Sequence, residues 1–242
     1  MRASSITKSI ILIICFSSMG LFGSPLRAQD GAHFEQWTSF TNEKYIKKVG
    51  FWLRNDVSIR SSFEEDFNML FLERPRAILG LGSIVDIHLA VDFRYTRYEE
   101  SANILEIRPW EGLQLHWPDI GRVRFDLFYR FEQRFQWKEG FGRDTIELRS
   151  RVRLKARIPL NNLNITDHTY FTDLSAEAFV PHGETLDESF ASTFRLGLTL
   201  GYNRDLKWRY QVNFYLDRGR NSTEDNAQAS RFILEAKARM AF

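Results

Sequence analysis

From Val49 to its last residue the chain is a run of long segments in which apolar and charged residues alternate, the period-two signature of strands with two unlike faces. The clearest spans Thr145 to Ile158. Ile146, Leu148, Val152, Leu154, Ala156 and Ile158 take one face, with Ser150 the single polar intruder, while Glu147, Arg149, Arg151, Arg153, Lys155 and Arg157 take the other. Arg122 to Phe135 repeats the arrangement, setting Val123, Phe125, Leu127, Tyr129 and Phe131 against Arg124, Asp126, Arg130, Glu132 and Arg134. Val85 to Tyr95 does so again, with Asp86, His88, Asp92 and Arg94 on the polar face. Further strands read at Val49 to Ser61, Met69 to Gly80, Leu105 to Trp117, His168 to Phe179, Thr193 to Tyr202, Lys207 to Asp217 and Ser230 to Phe242. The pattern predicts an all-β fold.

Alternation does not say which face is inside. A soluble sandwich or a periplasmic lipocalin-like barrel buries the apolar face, whereas a membrane barrel turns it toward lipid and keeps the polar face in its lumen. Three features favour the membrane barrel. The strands exceed the roughly 9 to 11 residues that cross a bilayer. Apolar-face aromatics gather near strand ends, with Trp117, Tyr202, Trp208 and Phe242 at one level and Tyr95, Phe135 and Trp137 at the other, like the girdles of such barrels. Connections alternate between tight ones at Gly82-Ser83, Asp119-Ile120-Gly121 and Asn203-Arg204-Asp205 and longer polar ones. The expected architecture is a transmembrane antiparallel up-and-down β-barrel of about 10 to 12 strands. Counting His33 to Phe40 gives an odd total against the even number usual for bacterial barrels, which places a counting error between Gln29 and Lys48.

The start of the chain points the same way. Arg2 and Lys8 precede an uncharged run from Ile10 to Phe22, and Leu26-Arg27-Ala28 offers a cleavage site before Gln29. Residues 1–28 read as a signal peptide and 29–242 as a single barrel domain. Cys15 leaves with the signal, so the mature chain has no disulfide or cysteine metal site. Removing Arg2, Lys8 and Arg27 from the 33 basic residues leaves 30 against 31 acidic ones, a balance of −1. A nucleic-acid partner, which calls for a basic surplus on one face, is excluded on that ground.

Taking Asp119-Ile120-Gly121 as a three-residue hairpin loop pairs His116 with Arg124, Arg108 with Glu132 and Glu106 with Arg134. Around the next loop, Gln136 opposite Thr145 sets Glu147 and Arg149 across from Arg134 and Glu132. The result is an opposite-charge network on the lumen face of three neighbouring strands, formed by Glu106, Arg108, Asp126, Arg130, Glu132, Arg134, Glu147, Arg149, Arg151 and Arg153. These charges either buttress a filled barrel or line a constriction for a small anionic solute, to which arginine rungs bind bidentately.

Glu106-Ile107-Arg108-Pro109-Trp110-Glu111, Arg130-Phe131-Glu132-Gln133-Arg134-Phe135 and the alternating Arg149, Arg151 and Arg153 resemble an uncharacterised domain-of-unknown-function family of Gram-negative outer-membrane barrels. The resemblance covers nearly all of the mature chain and implies location and fold, not activity. The final strand, with Phe232, Leu234, Ala236, Ala238 and Met240 at every second position before Phe242, resembles the sorting signature of such barrels. It implies that Phe242 is read by the barrel assembly machinery and that the protein sits among outer-membrane lipids and lipopolysaccharide. Under that resemblance the tight turns are periplasmic. The acidic clusters Glu64-Glu65-Asp66, Glu99-Glu100, Glu184 with Asp187-Glu188, and Glu224-Asp225 then lie outside.

Catalytic motifs are weak. Asp86-x-His88 puts a carboxylate and an imidazole on one strand face with no second histidine near, and His116 reads as a partner in the lumen network. Ser189 and Ser192 follow His182 and Asp187 without a nucleophile-elbow motif. No phosphate loop or zinc spacing occurs, and no cofactor is called for. Three functions remain open: a structural barrel or narrow pore, a lipid-modifying or lipid-binding enzyme of the outer membrane, and a soluble periplasmic lipocalin-like binder, which would need the faces inverted.

Overall fold

The computed structural model describes residues 32–63, 67–99, 101–139, 141–182, 194–218 and 230–242. The signal segment, its cleavage site, Glu64 to Asp66, Glu100, Glu184, Asp187 to Ser189, Ser192, Glu224 and Asp225 lie outside them. Residues 33–242 make one compact unit.

Eleven strands follow one another: β1 Ala32–Ile46, β2 Phe51–Phe63, β3 Phe67–Leu81, β4 Val85–Arg97, β5 Ile104–His116, β6 Arg124–Lys138, β7 Phe141–Pro159, β8 Thr169–His182, β9 Phe194–Asn203, β10 Trp208–Arg218 and β11 Ser230–Ala241. Each hydrogen-bonds its sequence neighbours, and β1 meets β11 to close the barrel. The expected even number is therefore corrected: the segment before Lys48 is a full strand seven residues longer than His33 to Phe40.

An odd count has a geometric consequence. Consecutive strands run antiparallel, so the first and eleventh point the same way and the seam is parallel. Three side-chain contacts across it show the register: Glu35 with Arg231, Ser39 with Glu235, and Glu43 with Arg239 are each 196 residues apart. A constant separation is what parallel strands give. The Phe242 N–H adds a bond to the Glu43 carbonyl at 2.9 Å.

The connections after β1, β3, β5, β7 and β9 share one end of the barrel with Phe242, but their lengths do not alternate as expected: 160–168 between β7 and β8 is nine residues, whereas β6 and β7 at the other end are two residues apart. Gly121, at φ +62°, supplies the left-handed residue that the β5–β6 hairpin needs. Aromatics cluster at this end: Tyr45 lies 5.2 Å from Trp52, Tyr170 lies 4.8 Å from Tyr202, and Trp208 stacks on Tyr210 at 6.1 Å.

The two faces are inverted relative to a soluble protein. Leu89, Leu113, Val152, Leu154, Leu174, Leu198 and Phe214 stand exposed on the outside, while Glu35, Asp92, Glu132, Arg134 and Asp217 are fully buried within. This corrects the lipocalin-like alternative, which requires the apolar face inside. Some apolar groups do turn inward near the loop end, where Leu70, Leu72, Ile104 and Ile233 are buried.

Candidate functional site

The β6–β7 ladder places Gln136 opposite Thr145, Arg134 opposite Glu147 and Glu132 opposite Arg149. The β5–β6 ladder departs by two residues from the expected register: Glu106 faces Gln136, Trp110 faces Glu132, and His116 faces Asp126 rather than Arg124. The cause is the turn. Ile120 and Val123 exchange both backbone bonds around Gly121-Arg122, and Trp117 bonds Phe125, which leaves one extra residue on the β5 side beside Pro118. Proline has no N–H to give to a ladder, so Pro118 donates no pairing bond at that position. Asp119 in this turn accepts from Arg124, and that bond holds its carboxyl below the usual range.

The shifted register still brings the charges together, because guanidinium side chains reach diagonally across the pleat. Glu106 is held by Arg134 at 2.8 Å, Arg94 at 3.1 Å and Arg108 at 2.6 Å. Glu132 meets Arg108 at 3.0 Å, Arg130 at 2.7 Å, Arg149 at 2.8 Å and Arg151 at 3.0 Å. Arg134 also bonds Glu147. A third hub is Asp92 on β4, which takes a bidentate pair from Arg74 at 2.7 Å, the Trp110 indole N–H at 2.6 Å and Arg130 at 3.2 Å. Such paired, hydrogen-bonded geometry is the condition on which burying charge is tolerated.

Two of the expected members stand apart. Asp126 belongs to a separate group at the turn end, with His116 at 2.7 Å and Lys155 at 2.9 Å, while His116 also contacts Asp86 at 2.8 Å. Arg153 has no carboxylate partner among the described residues and lies over the Phe128 ring at 5.3 Å. Asp86 and His88 do not act as a pair: both imidazole nitrogens of His88 are buried without a partner.

Several interior groups escape sequence reasoning. Asp56 with Arg76, Asp173 with Arg157 at 2.6 Å, Glu177 with Arg151 at 2.9 Å and Asp217 with Arg195 at 2.6 Å extend the pairing right around the barrel. Their signal is the same alternation on β2, β8, β9 and β10, which assigns a face to each charge but not a partner. Ser150, the intruder on the apolar face, has a partner too: its hydroxyl lies 2.8 Å from His182 Nε2 and 3.0 Å from the Tyr129 hydroxyl.

Within the barrel is a cavity of about 480 Å³. It reaches from Arg54, Arg124, Arg157 and Arg239 at the turn end to Arg60, Arg94, Arg149 and Arg195, and sixteen arginines and lysines face it against five carboxylates. Exposure falls along this path. Arg124 is 53% exposed, Arg157 18%, Arg149 8% and Arg134 1%. Solvent exposure thus falls from the turns toward the Glu106–Glu132–Arg134 layer. Beyond it, Leu70, Leu72 and Ile104 fill the interior among the described residues.

Fold and site together define a closed up-and-down β-barrel with a charged, half-filled interior and an apolar outer wall. The chain belongs to the family described as Protein of unknown function (DUF2490), which matches residues 34–228. No curated protein and no solved structure matches it.

Proposed function

We propose that the protein is an outer-membrane β-barrel whose ion-pair plug closes it toward the loops, leaving a cationic vestibule at the turn end, the periplasmic one. One observation carries this reading: side chains such as Leu154, half-exposed on the outer wall, alternate along the same strand with buried Arg149 and Glu147. In water that arrangement has no driving force, since the apolar wall gains nothing by folding outward. In hydrocarbon it has one, and lipid would cover the belt. The protein is then a binding barrel and not a through-pore.

Sucrose-gradient fractionation should recover the protein in the outer-membrane band as a heat-modifiable species with residues 1–28 removed. Refolded protein in planar bilayers should show no stepwise conductance. Release by osmotic shock alone contradicts the membrane assignment, and steady single-channel steps contradict the plug.

A second reading, an acyl hydrolase at the lipid-facing rim, is favoured by Ser150 and His182. Both lie on the outward side of the β7–β8 pair, and 2.8 Å is the reach of a nucleophile and its base. The serine oxygen would attack an ester carbonyl while His182 Nε2 takes its proton and passes it to the leaving alcohol; water then frees the acid. Release of fatty acid from lipid A micelles, lost in Ser150→Ala, is its signature. Equal release by the variant, or none by either protein, removes the reading.

A further inference from the structure

We propose that the inner half of the vestibule is a binding site for a small solute bearing a multivalent oxyanion of the phosphate class. The site deepens the one-ended vestibule proposed above and rests on that reading.

The chain as a whole is close to neutral, with 33 basic and 31 acidic residues. A cavity wall with sixteen cations and five carboxylates is therefore a segregation of charge and not a reflection of composition. Much of that charge is answered by carboxylates such as Asp92 and Glu132, but part of it is not. Arg60 has no carboxylate partner among the described residues, and its Nε is buried without a hydrogen bond. Arg153, on the β7 wall, likewise has no carboxylate. Arg76 and Arg151 each keep a buried Nε unpartnered, and His88 keeps both ring nitrogens so. All five side chains line the same cavity. Buried donors left open cost free energy unless something fills them, and an anion is the ligand that answers unpartnered guanidinium N–H groups.

The geometry also favours recognition. Arg60 lies over the Trp37 ring at 3.9 Å, and Arg195 approaches the same ring at 5.0 Å while Asp217 fixes it in a bidentate pair. Arg151 lies over Phe179 at 4.5 Å. Guanidiniums stacked on aromatic rings and tied to carboxylates are already ordered, so a ligand loses little further entropy in binding them. The donors stand on β2, β3 and β7, different walls of the cavity. A tetrahedral dianion presents three or four oxygens in different directions and can use them together, whereas a monocarboxylate offers two in one plane. A cavity of about 480 Å³ holds a small phosphorylated metabolite as well as the free ion. Because the apolar wall faces outward, a lipid tail has no path beside its headgroup into this space, which selects a soluble phosphate over a lipid one.

The test uses the refolded full-length mature chain in detergent micelles, titrated calorimetrically at low ionic strength with inorganic phosphate and with pyrophosphate. Saturable binding of at least one is expected. Arg60→Gln and Arg153→Gln should each weaken it about ten-fold, the loss of one charge-assisted contact, and Lys48→Gln in the exposed β1–β2 turn should not. Neither arginine leaves a carboxylate unpaired when removed, so both variants should fold, and their apo unfolding temperatures should equal or exceed that of the parent. Absence of saturable binding, or binding indifferent to both substitutions, overturns the proposal. So does uptake of phosphatidylglycerol from mixed micelles with neither free anion bound. Conductance by the parent barrel would instead sink the one-ended reading, and it is measured independently of the titration.

Discussion

Glu132 faces four guanidiniums from three strands, and at this residue the energetics of the interior are concentrated. Glu132→Gln takes one shared carboxylate from four buried cations, of which Arg108, Arg130 and Arg151 keep Glu106, Asp92 and Glu177 while Arg149 keeps none among the described residues, and breaking buried pairs in this way typically costs about 3–5 kcal/mol. The double change with Arg108→Gln removes one of those cations and should recover part of the loss. Denaturant titration of the four proteins should give a coupling of about 0.5–3 kcal/mol, as residues in one network do. Strict additivity would show that the two do not interact. On the outer wall, Leu154→Arg should cost roughly 2–4 kcal/mol if the side chain sits near the bilayer midplane. Arg153→Gln, which has no carboxylate to abandon, should not destabilise the protein by the same unfolding measurement. A reversed ranking would mean that the outer wall is not in lipid. At this scale the sequence is legible wherever a face decides the matter: Glu132 with Arg149 follows from parity and one turn. Asp92 as a hub does not, because its partners Arg74, Trp110 and Arg130 come from three other strands and alternation carries no information on reach.

Ten of the eleven strands are readable as alternating runs, and their ends fall within about four residues of the observed ones, the usual error of boundaries read from pattern. β1 is the exception. Its interior row of Glu35, Trp37, Ser39, Thr41 and Glu43 is opposed by Gln36, Thr38 and Asn42, so both faces carry polar groups and the contrast that marks a strand fades. The same blurring suits a strand that must pair antiparallel with β2 and parallel with β11. Register is less legible than strand existence, since a hairpin with Gly121-Arg122 at its tip and one extra residue beside Pro118 shifts all of β6 by two positions. Two element-level outcomes follow. Deleting Phe242 removes the backbone bond to Glu43 at the seam, and it should lower the yield of the heat-modifiable folded form more than Leu206→Ala in the β9–β10 turn does. Equal yields would detach the terminus from closure. Gly112→Ala on β5 would bring its methyl to 2.8 Å from the Tyr129 carbonyl and 3.0 Å from the Phe128 ring. The cost should be about 1–3 kcal/mol by denaturant unfolding, and a neutral result would mean that the β6 backbone at Tyr129 gives way as well as the Phe128 ring.

Over the whole molecule, charge is sorted along the barrel axis. The turn half holds a cation-rich cavity, and toward the loops Glu106, Glu132, Glu147 and Arg134 form a buried layer on β5, β6 and β7. If that layer alone separates vestibule from loops, trimming it should convert a binding barrel into a channel. The double variant Glu132→Ala with Arg134→Ala removes one acidic and one basic side chain, so the net charge is unchanged and only space is created. What remains along the path is the surplus of cations facing the cavity, with Arg60, Arg149 and Arg153 among them, and these attract anions in a narrow low-dielectric passage. Planar-bilayer recordings should therefore show a silent parent and a conducting double variant. Its reversal potential in a KCl gradient should mark chloride as the permeant ion, and the selectivity should fall at high ionic strength as the guanidiniums are screened. A conducting variant that prefers potassium would mean that the carboxylates govern the path and that the vestibule is not the cationic space its lining describes. Continued silence in a correctly folded variant would place the closure farther toward the loops, at the layer where Leu70, Leu72 and Ile104 meet.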